Sequence, residues 1–467
     1  MLKFIKDFII YGCTPMLGKV LAVFLMPIYT SIIPQDEYGA MWLIFSVKGI
    51  ISLFSNLDIQ SGVAREYNEK GIDRTKLVST GFYSIFGISF LVFLFMVSTQ
   101  SFWQTTVLSL DSRYSVAFFI MLLTIPLGSL ESYFSILARF KHKPILYSIG
   151  TIIQLLIQTT IAVVGVVYIR CGINAFFIGM LCGELFSIIY FSYINRKNIR
   201  ITFEKEYLRK ALLFSLPTLP AVLAGWVDTS FGQVIIGKYI STTDLAVYSV
   251  ALQLASMFTI VSVALKNVWE PYLYENYNKP NFISEVKKLY RFIVLALIII
   301  SIGVSLFSKE IILLLSNSAY RDAAQYFSLL CLPMCVYLLL PIASSGIRVS
   351  RDTKYIGISH VLGSITNIAS LIILIPHLGV IGVPISLTAS RVVTYFIMYS
   401  VSKSKGVIVL PNGILFLLIA SVVVCYLVII SGVGLLGRAI CVTVAELLVL
   451  FYIVKYLNIK NILIKRK

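Results

Sequence analysis

Apolar residues arrive along this chain in blocks of about twenty, separated by short polar hinges, from one end to the other. A block of that length, wound into a helix rising about 1.5 Å per residue, crosses a hydrocarbon core of ~30 Å. No polar stretch between blocks is long enough to fold as a soluble domain. Composition agrees: the 467 residues are 58% hydrophobic and only 13% charged, too little charge to cover a soluble surface of this size. The chain therefore reads as an all-α integral membrane protein.

The predicted spans are 8–33, 40–62, 78–98, 115–137, 146–169, 173–194, 212–236, 243–268, 290–308, 324–346, 356–375, 379–401, 411–430 and 437–455. The first could pass for a signal peptide, with Lys3 and Lys6 ahead of it. Its apolar run is too long for a signal core, however, and carries Lys19 in its middle. With the N-terminus cytoplasmic, 29 of the 39 Lys and Arg fall in cytoplasmic segments. Six fall on the other side (Arg113, Arg170, Lys238, Lys309, Arg321 and Arg438), and four lie inside helices. This alternation is the positive-inside pattern. It supports about fourteen transmembrane helices, with both termini cytoplasmic. It also accounts for the net charge of +18 without a nucleic-acid partner.

Several kinds of chemistry are excluded. The seven cysteines all lie in apolar segments, an odd number in places unsuited to a disulfide framework. Cys331 and Cys335 are one helical turn apart, but no histidine is near them in sequence, so no metal site is expected. His142, His360 and His377 form no cluster. The stretch from Gly12 to Val20 resembles a phosphate-binding loop, yet it has five residues between its glycines and Val20 where Mg²⁺ needs a hydroxyl. No outer segment is large enough for a catalytic loop, which weakens a membrane glycosyl-polymerase reading. The chain is not expected to be an enzyme or to need a cofactor.

One offset, 207 residues, recurs between the halves. It relates Pro126 to Pro333, Gly172 to Gly379, Glu37 to Asp244, and Glu184 to Arg391. A shift of six helices keeps both copies in one orientation, so the expected plan is two parallel six-helix lobes around a central cavity. The N-lobe occupies 1–195 and a basic cytoplasmic linker 196–211. The C-lobe occupies 212–405, and 406–467 adds two helices and a basic tail.

Charges within the spans mark the candidate site. A cation at mid-bilayer costs about 2.5–3.5 kcal/mol even on the lenient insertion scale. Lys19, Lys48, Arg391 and Lys266 should therefore face a polar interior, although Lys266 lies close enough to a helix end to snorkel. Lys19 shares a helical stripe with Gly12, Pro15, Ala22 and Thr30; Lys48 shares one with Ser52 and Ser55. Arg391 shares one with Pro384, Thr388, Tyr395 and Ser402. These stripes read as cavity walls. Glu184, Asp58, Glu131 and Asp228, with Glu446, supply the opposite sign as ion-pair or coupling residues, and the offset suggests Arg391 as a partner for Glu184. Pro15, Pro217 and Pro220 read as sites of bending in the first and seventh helices.

Tyr11-Gly12, the run from Pro27 to Thr30, and Pro34 to Gly39 resemble the opening of Wzx-type polysaccharide flippases. Leu57 to Tyr67, Trp269-Glu270-Pro271 and Leu378 to Gly382 extend the likeness over essentially the whole chain. Those flippases belong to the multidrug/oligosaccharidyl-lipid/polysaccharide (MOP) exporter superfamily, with fourteen helices in two lobes. The resemblance implies transfer of an undecaprenyl-diphosphate-linked oligosaccharide, such as an O-antigen unit of lipopolysaccharide, to the outer leaflet. It implies membrane lipids, a polysaccharide polymerase and a chain-length regulator as partners, and H⁺ or Na⁺ as the candidate coupling ion. Lys19, Lys48 and Arg391 would then offset the diphosphate. The alternative within the superfamily is an ion-coupled multidrug exporter, whose cavity would be dominated by acids and aromatics.

Overall fold

The computed structural model describes residues 2–67, 69–140 and 144–457, with side chains at 14, 16–67, 69–138, 144–196 and 198–447. Lys141, His142, Lys143, the side chains of Cys13 and Pro15, and the basic tail from 458 onward lie outside the described residues. The chain divides into two compact units, Met1–Ala246 and Val247–Lys467.

Hydrocarbon offers no hydrogen-bond partner, so each apolar block satisfies its backbone internally by forming a helix. The first unit holds α1 (Leu2–Ile32), α2 (Gln35–Asn56), the short α3 (Ile59–Glu66) and α4 (Arg74–Ser98). It continues with α5 (Ser115–Phe140), α6 (Pro144–Val164) and α7 (Asn174–Asn195). Then come α8 (Lys205–Ser215), α9 (Leu219–Trp226) and α10 (Gly232–Tyr239). Polar residues set the ends: Asp73 Oδ1 accepts from the Thr75 and Lys76 amides and starts α4. α2 stops where Leu57 and Asp58 both turn left-handed, with φ of 46° and 52°. Asn56 Oδ1 accepts from the Asp58 amide at 2.9 Å, and Ser61 Oγ donates to Asp58 Oδ1 at 2.7 Å, which hold the break.

The predicted seventh span is not one regular helix. Pro217 and Pro220 lack amide hydrogens, so a 3₁₀ turn (Leu216–Thr218) separates α8 from α9. A π turn (Val227–Phe231) then separates α9 from α10. The predicted eighth span likewise divides into α11 (Thr242–Ala255), which crosses the boundary between units, and α12 (Phe258–Asn276).

The second unit continues with α13 (Phe282–Leu306), α14 (Ser308–Leu315), α15 (Ala323–Ala343) and α16 (Ser345–Val349). It ends with α17 (Lys354–Leu378), α18 (Gly382–Ser404), α19 (Gly413–Ile430) and α20 (Leu435–Leu457). Eleven helical stretches among the described residues are long and apolar enough to cross a membrane. One of these, Lys354–Ser404, comprises both α17 and α18, while α1, with a shorter apolar stretch at Met16–Ile32, and α20 stand where the first and last spans are expected.

The two units repeat one internal packing scheme. In the first, α6 and α7 form a hairpin, α5 lies on α7, and α4 and α2 lie on α5. In the second, α17 and α18 form the hairpin, α15 lies on α18, and α13 and α12 lie on α15. The offset pairs fall at matching places. Pro126 and Pro333 sit inside α5 and α15. Gly172 and Gly379, with φ of 55° and 56°, begin the turns before α7 and α18, where a side chain would be strained. α19 and α20 pack on α13, outside this scheme.

Each unit has an aromatic core with its hydroxyls bonded. Tyr133 Oη donates to the Val78 carbonyl at 2.7 Å in the first. In the second, Tyr290 and Tyr395 share a 2.7 Å hydrogen bond, and Tyr395 Oη also donates to Asn412 Oδ1. The second unit is further tied by Arg438, 5% exposed, which grips Glu310 on α14 through two hydrogen bonds of 2.6 and 3.0 Å. It also donates to the Leu306 and Val433 carbonyls. An outer-loop cation in the sequence is thus a buried clamp between α13, α14 and α20.

Burial alone would raise the Glu310 carboxyl, but the hydrogen bond and charge of Arg438 outweigh it and hold the carboxyl below its ordinary value. A depressed carboxyl stabilises above the ordinary glutamate range and loses that contribution as pH falls through its lowered value. The midpoint of thermal unfolding in detergent should therefore fall as pH drops below about 4, and Glu310→Gln should remove part of that slope. Arg438→Ala should destabilise the protein by on the order of 2 kcal/mol at neutral pH; an unchanged midpoint would contradict the clamp.

Candidate functional site

The deepest charge pair in the first unit joins two helices well separated in sequence. Lys48 comes from the middle of α2 and Glu184 from the middle of α7, and Nζ donates to Oε1 at 2.8 Å. Their side chains are only 15% and 9% exposed. Two features make room for the pair. Gly128 on α5 lies against the carboxylate; a Cβ there would stand 3.2 Å from Oε1. Met180, one turn before Glu184, brings its polarizable sulfur to the ammonium. The second carboxylate oxygen, Oε2, is buried and accepts no hydrogen bond among the described residues. An ammonium in such a place must keep its carboxylate, because desolvation would otherwise cost several kcal/mol.

The same helix α2 is stitched to the irregular seventh span. Ser46 Oγ donates to Gln233 Oε1 at 2.6 Å, and Trp226 Nε1 donates to the Ser46 carbonyl at 2.9 Å. Asp228 lies in the intervening π turn, 6% exposed. Asp58 stands at the α2–α3 break and accepts from Thr218 Oγ1, in the proline turn, at 3.3 Å. Glu131 is half-buried on α5, and Lys19 is exposed on α1.

In the second unit Arg391 projects from α18 and lays its guanidinium over the Tyr337 ring of α15, 4.7 Å from the centroid. Such a contact orients the charge at a gain of about 0.5–2 kcal/mol. Lys266 is exposed on α12, 3.8 Å from Glu270 one turn along. Part of the stripe expected to line a cavity is core: Tyr395 and Ser402 are both 0% exposed, and Ser402 Oγ accepts from the Gly346 and Ile347 amides. Ser55, in the stripe of Lys48, is equally buried, bonded to Ser129.

The structure therefore joins two predicted residues, Lys48 and Glu184. The offset had suggested Arg391 for Glu184, whose carboxylate is engaged by Lys48. Gly128, Met180, Glu270 and Arg348 were not predicted. Gly128 has no signal in a single sequence, but Glu270 lies within the Trp269–Pro271 motif, which was one.

Residues 28–325 match the family described as polysaccharide biosynthesis protein. The chain belongs to that family. No curated protein matches the chain in sequence. Its fold is similar to that of the lipid II flippase MurJ, solved in an inward closed conformation, with a TM-score of 0.73 at 14% identity over 97% of this chain and 99% of that one. An inward-facing multidrug resistance MATE family transporter of the MOP superfamily matches at 0.61 and 13% identity, over 83% of this chain and 97% of that. A Pyrococcus furiosus MOP superfamily transporter, described as having a binding pocket of reverse polarity, matches at 0.56 and 14%, over 86% and 94%. The family member described here is thus a multi-pass membrane protein with the all-α MOP transporter fold.

Removing one partner of the Lys48–Glu184 pair strands a charge in a low-dielectric interior. Lys48→Ala or Glu184→Leu alone should cost roughly 3–5 kcal/mol of stability, and Lys48→Met combined with Glu184→Leu should recover most of it. Unfolding of the purified variants in detergent measures this. A double variant no more stable than the worse single one would contradict mutual compensation.

Proposed function

We propose that this polysaccharide biosynthesis protein is a flippase for a lipid-linked oligosaccharide, moving it from the cytoplasmic to the outer leaflet of a bacterial inner membrane by alternating access. The observation that carries the reading is the family match of a chain that holds cations within its membrane-spanning helices. An undecaprenyl diphosphate carrier fits this chemistry. Its tail stays in lipid, while its diphosphate and sugars need a polar path with positive charge. Lys19 and Arg391 supply that charge, and Lys48 would join them when the coupling ion neutralises Glu184. Arg391, its guanidinium over the Tyr337 ring, carries a planar fork suited to two phosphate oxygens.

The halves that move are the lobes 1–195 and 212–405, with 196–211 as cytoplasmic linker and 406–467 as an appended pair and tail. Both termini lie in the cytoplasm in this reading. Glu184, Asp228, Asp58 and Glu131 are the acids through which H⁺ or Na⁺ would couple to transport. The product would feed a polymerase and its chain-length regulator, as for O-antigen or another surface glycan. No catalytic role is assigned to any residue.

A second reading, an ion-coupled multidrug exporter, draws on the buried carboxylates Glu184 and Asp228, 7% and 6% exposed. An amphipathic cation would seek such acids. Glu184 already holds Lys48, which favours the anionic substrate.

Surface-glycan display in a strain complemented with Arg391 variants tests the assignment. Arg391→Ala should lower display by on the order of tenfold or more, and Arg391→Lys, which keeps the charge but loses the fork, should retain part of it. Full display by an Arg391→Ala protein present at normal levels would refute the role given to Arg391.

A further inference from the structure

The second unit carries a charge cluster that the proposed path does not use. Arg348, on the short α16, brings Nη1 to 2.8 Å from Glu270 Oε1 on α12. Lys266, one turn earlier on α12, has its ammonium 3.8 Å from the same oxygen. Two cations thus share one carboxylate, leaving a net positive charge. That oxygen is buried and, with both cations near it, still accepts no well-aligned hydrogen bond. A pair built for stability would be forked and aligned, one guanidinium to one carboxylate; Arg438 and Glu310 provide that contrast in the same unit.

The cations are accessible while the frame behind them is fixed. The Lys266 side chain is 50% exposed and that of Arg348 21%. Trp269, next to Glu270 and 2% exposed, donates from Nε1 to Ser345 Oγ at 3.1 Å. Arg348 Nε donates to Ser344 Oγ, also at 3.1 Å. The Trp269–Pro271 motif therefore locks α12 to the α15–α16 turn and aims both cations at one place.

We infer that Lys266 and Arg348 form a phosphate-binding site in which Glu270 is a built-in competitor, and that it receives the diphosphate of a polyprenyl carrier. A diphosphate carries more charge than one carboxylate and offers oxygens to both cations at once, so it displaces Glu270 from them. In the orientation proposed above these residues lie toward the cytoplasmic ends of their helices, where such a carrier would be loaded. The inference rests on the flippase reading for the source of the diphosphate.

Binding of farnesyl diphosphate to the full-length protein in nanodiscs, followed by isothermal titration calorimetry, tests it. Arg348→Gln should weaken binding about tenfold and Lys266→Gln by a smaller factor, while Glu270→Gln should tighten it about tenfold, because the competitor is gone. The sign of the Glu270 effect is decisive, since a merely structural ion pair would lose stability with no gain in affinity. Unchanged affinity in Lys266→Gln and Arg348→Gln would overturn the site, and Lys266, held loosely, can be replaced without disturbing the frame. Phosphatidylglycerol nanodiscs separate the two sources of phosphate. Binding that persists there supports the diphosphate, and binding abolished by the lipid headgroup at equal phosphate overturns that assignment. The expected order of affinities in a protein that moves no lipid-linked sugar would uphold this site and overturn the transport reading instead.

Discussion

Hydrocarbon tolerates neither an unbonded backbone group nor an uncompensated charge, and each main feature of this protein answers one of those demands. The first forces every span into a helix. The second decides where Lys48 can be. Its ammonium sits between α2, α5 and α7 only because Glu184 crosses to it at 2.8 Å and Gly128 leaves space. The packing of those helices and the position of a fixed charge are thus one solution. The tyrosine network in the second unit obeys the same demand with hydroxyls, and the Arg438 clamp obeys it near the ends of α13 and α20.

The fold was legible wherever one physical quantity dominates. Block length specified the helices, and the offset of 207 pointed to a packing scheme that both units contain. Breaks within helices were legible only where proline causes them, as at Pro217 and Pro220. The left-handed pair Leu57–Asp58 is held by its neighbours Asn56 and Ser61, and the π turn at Val227–Phe231 lies between Trp226 and Gln233, which are bonded to Ser46 far away in sequence.

Site residues divide in the same way. A buried cation announces itself by its cost, so Lys48 and Arg391 could be named from sequence. Its partner does not, because Glu184 reaches Lys48 across 136 positions. The stripe around Arg391 misled where it was most regular: small and hydroxylated residues also let helices pack closely, and Tyr395 and Ser402 serve that purpose. Arg348 lies near a helix end, where a charge costs little and so draws no attention, and Glu270 was marked only by its motif.

A binding path with positive charge distinguishes a carrier of anionic lipids from an exporter of cationic drugs that shares its fold. The most direct measurement is made on cells lacking this protein, by extracting lipid-linked sugars while assaying surface glycan and drug accumulation in parallel. The account predicts complete diphosphate-linked units retained inside, surface glycan lost and drug accumulation unchanged. Normal surface glycan with altered drug accumulation would contradict it and place the chain among the exporters.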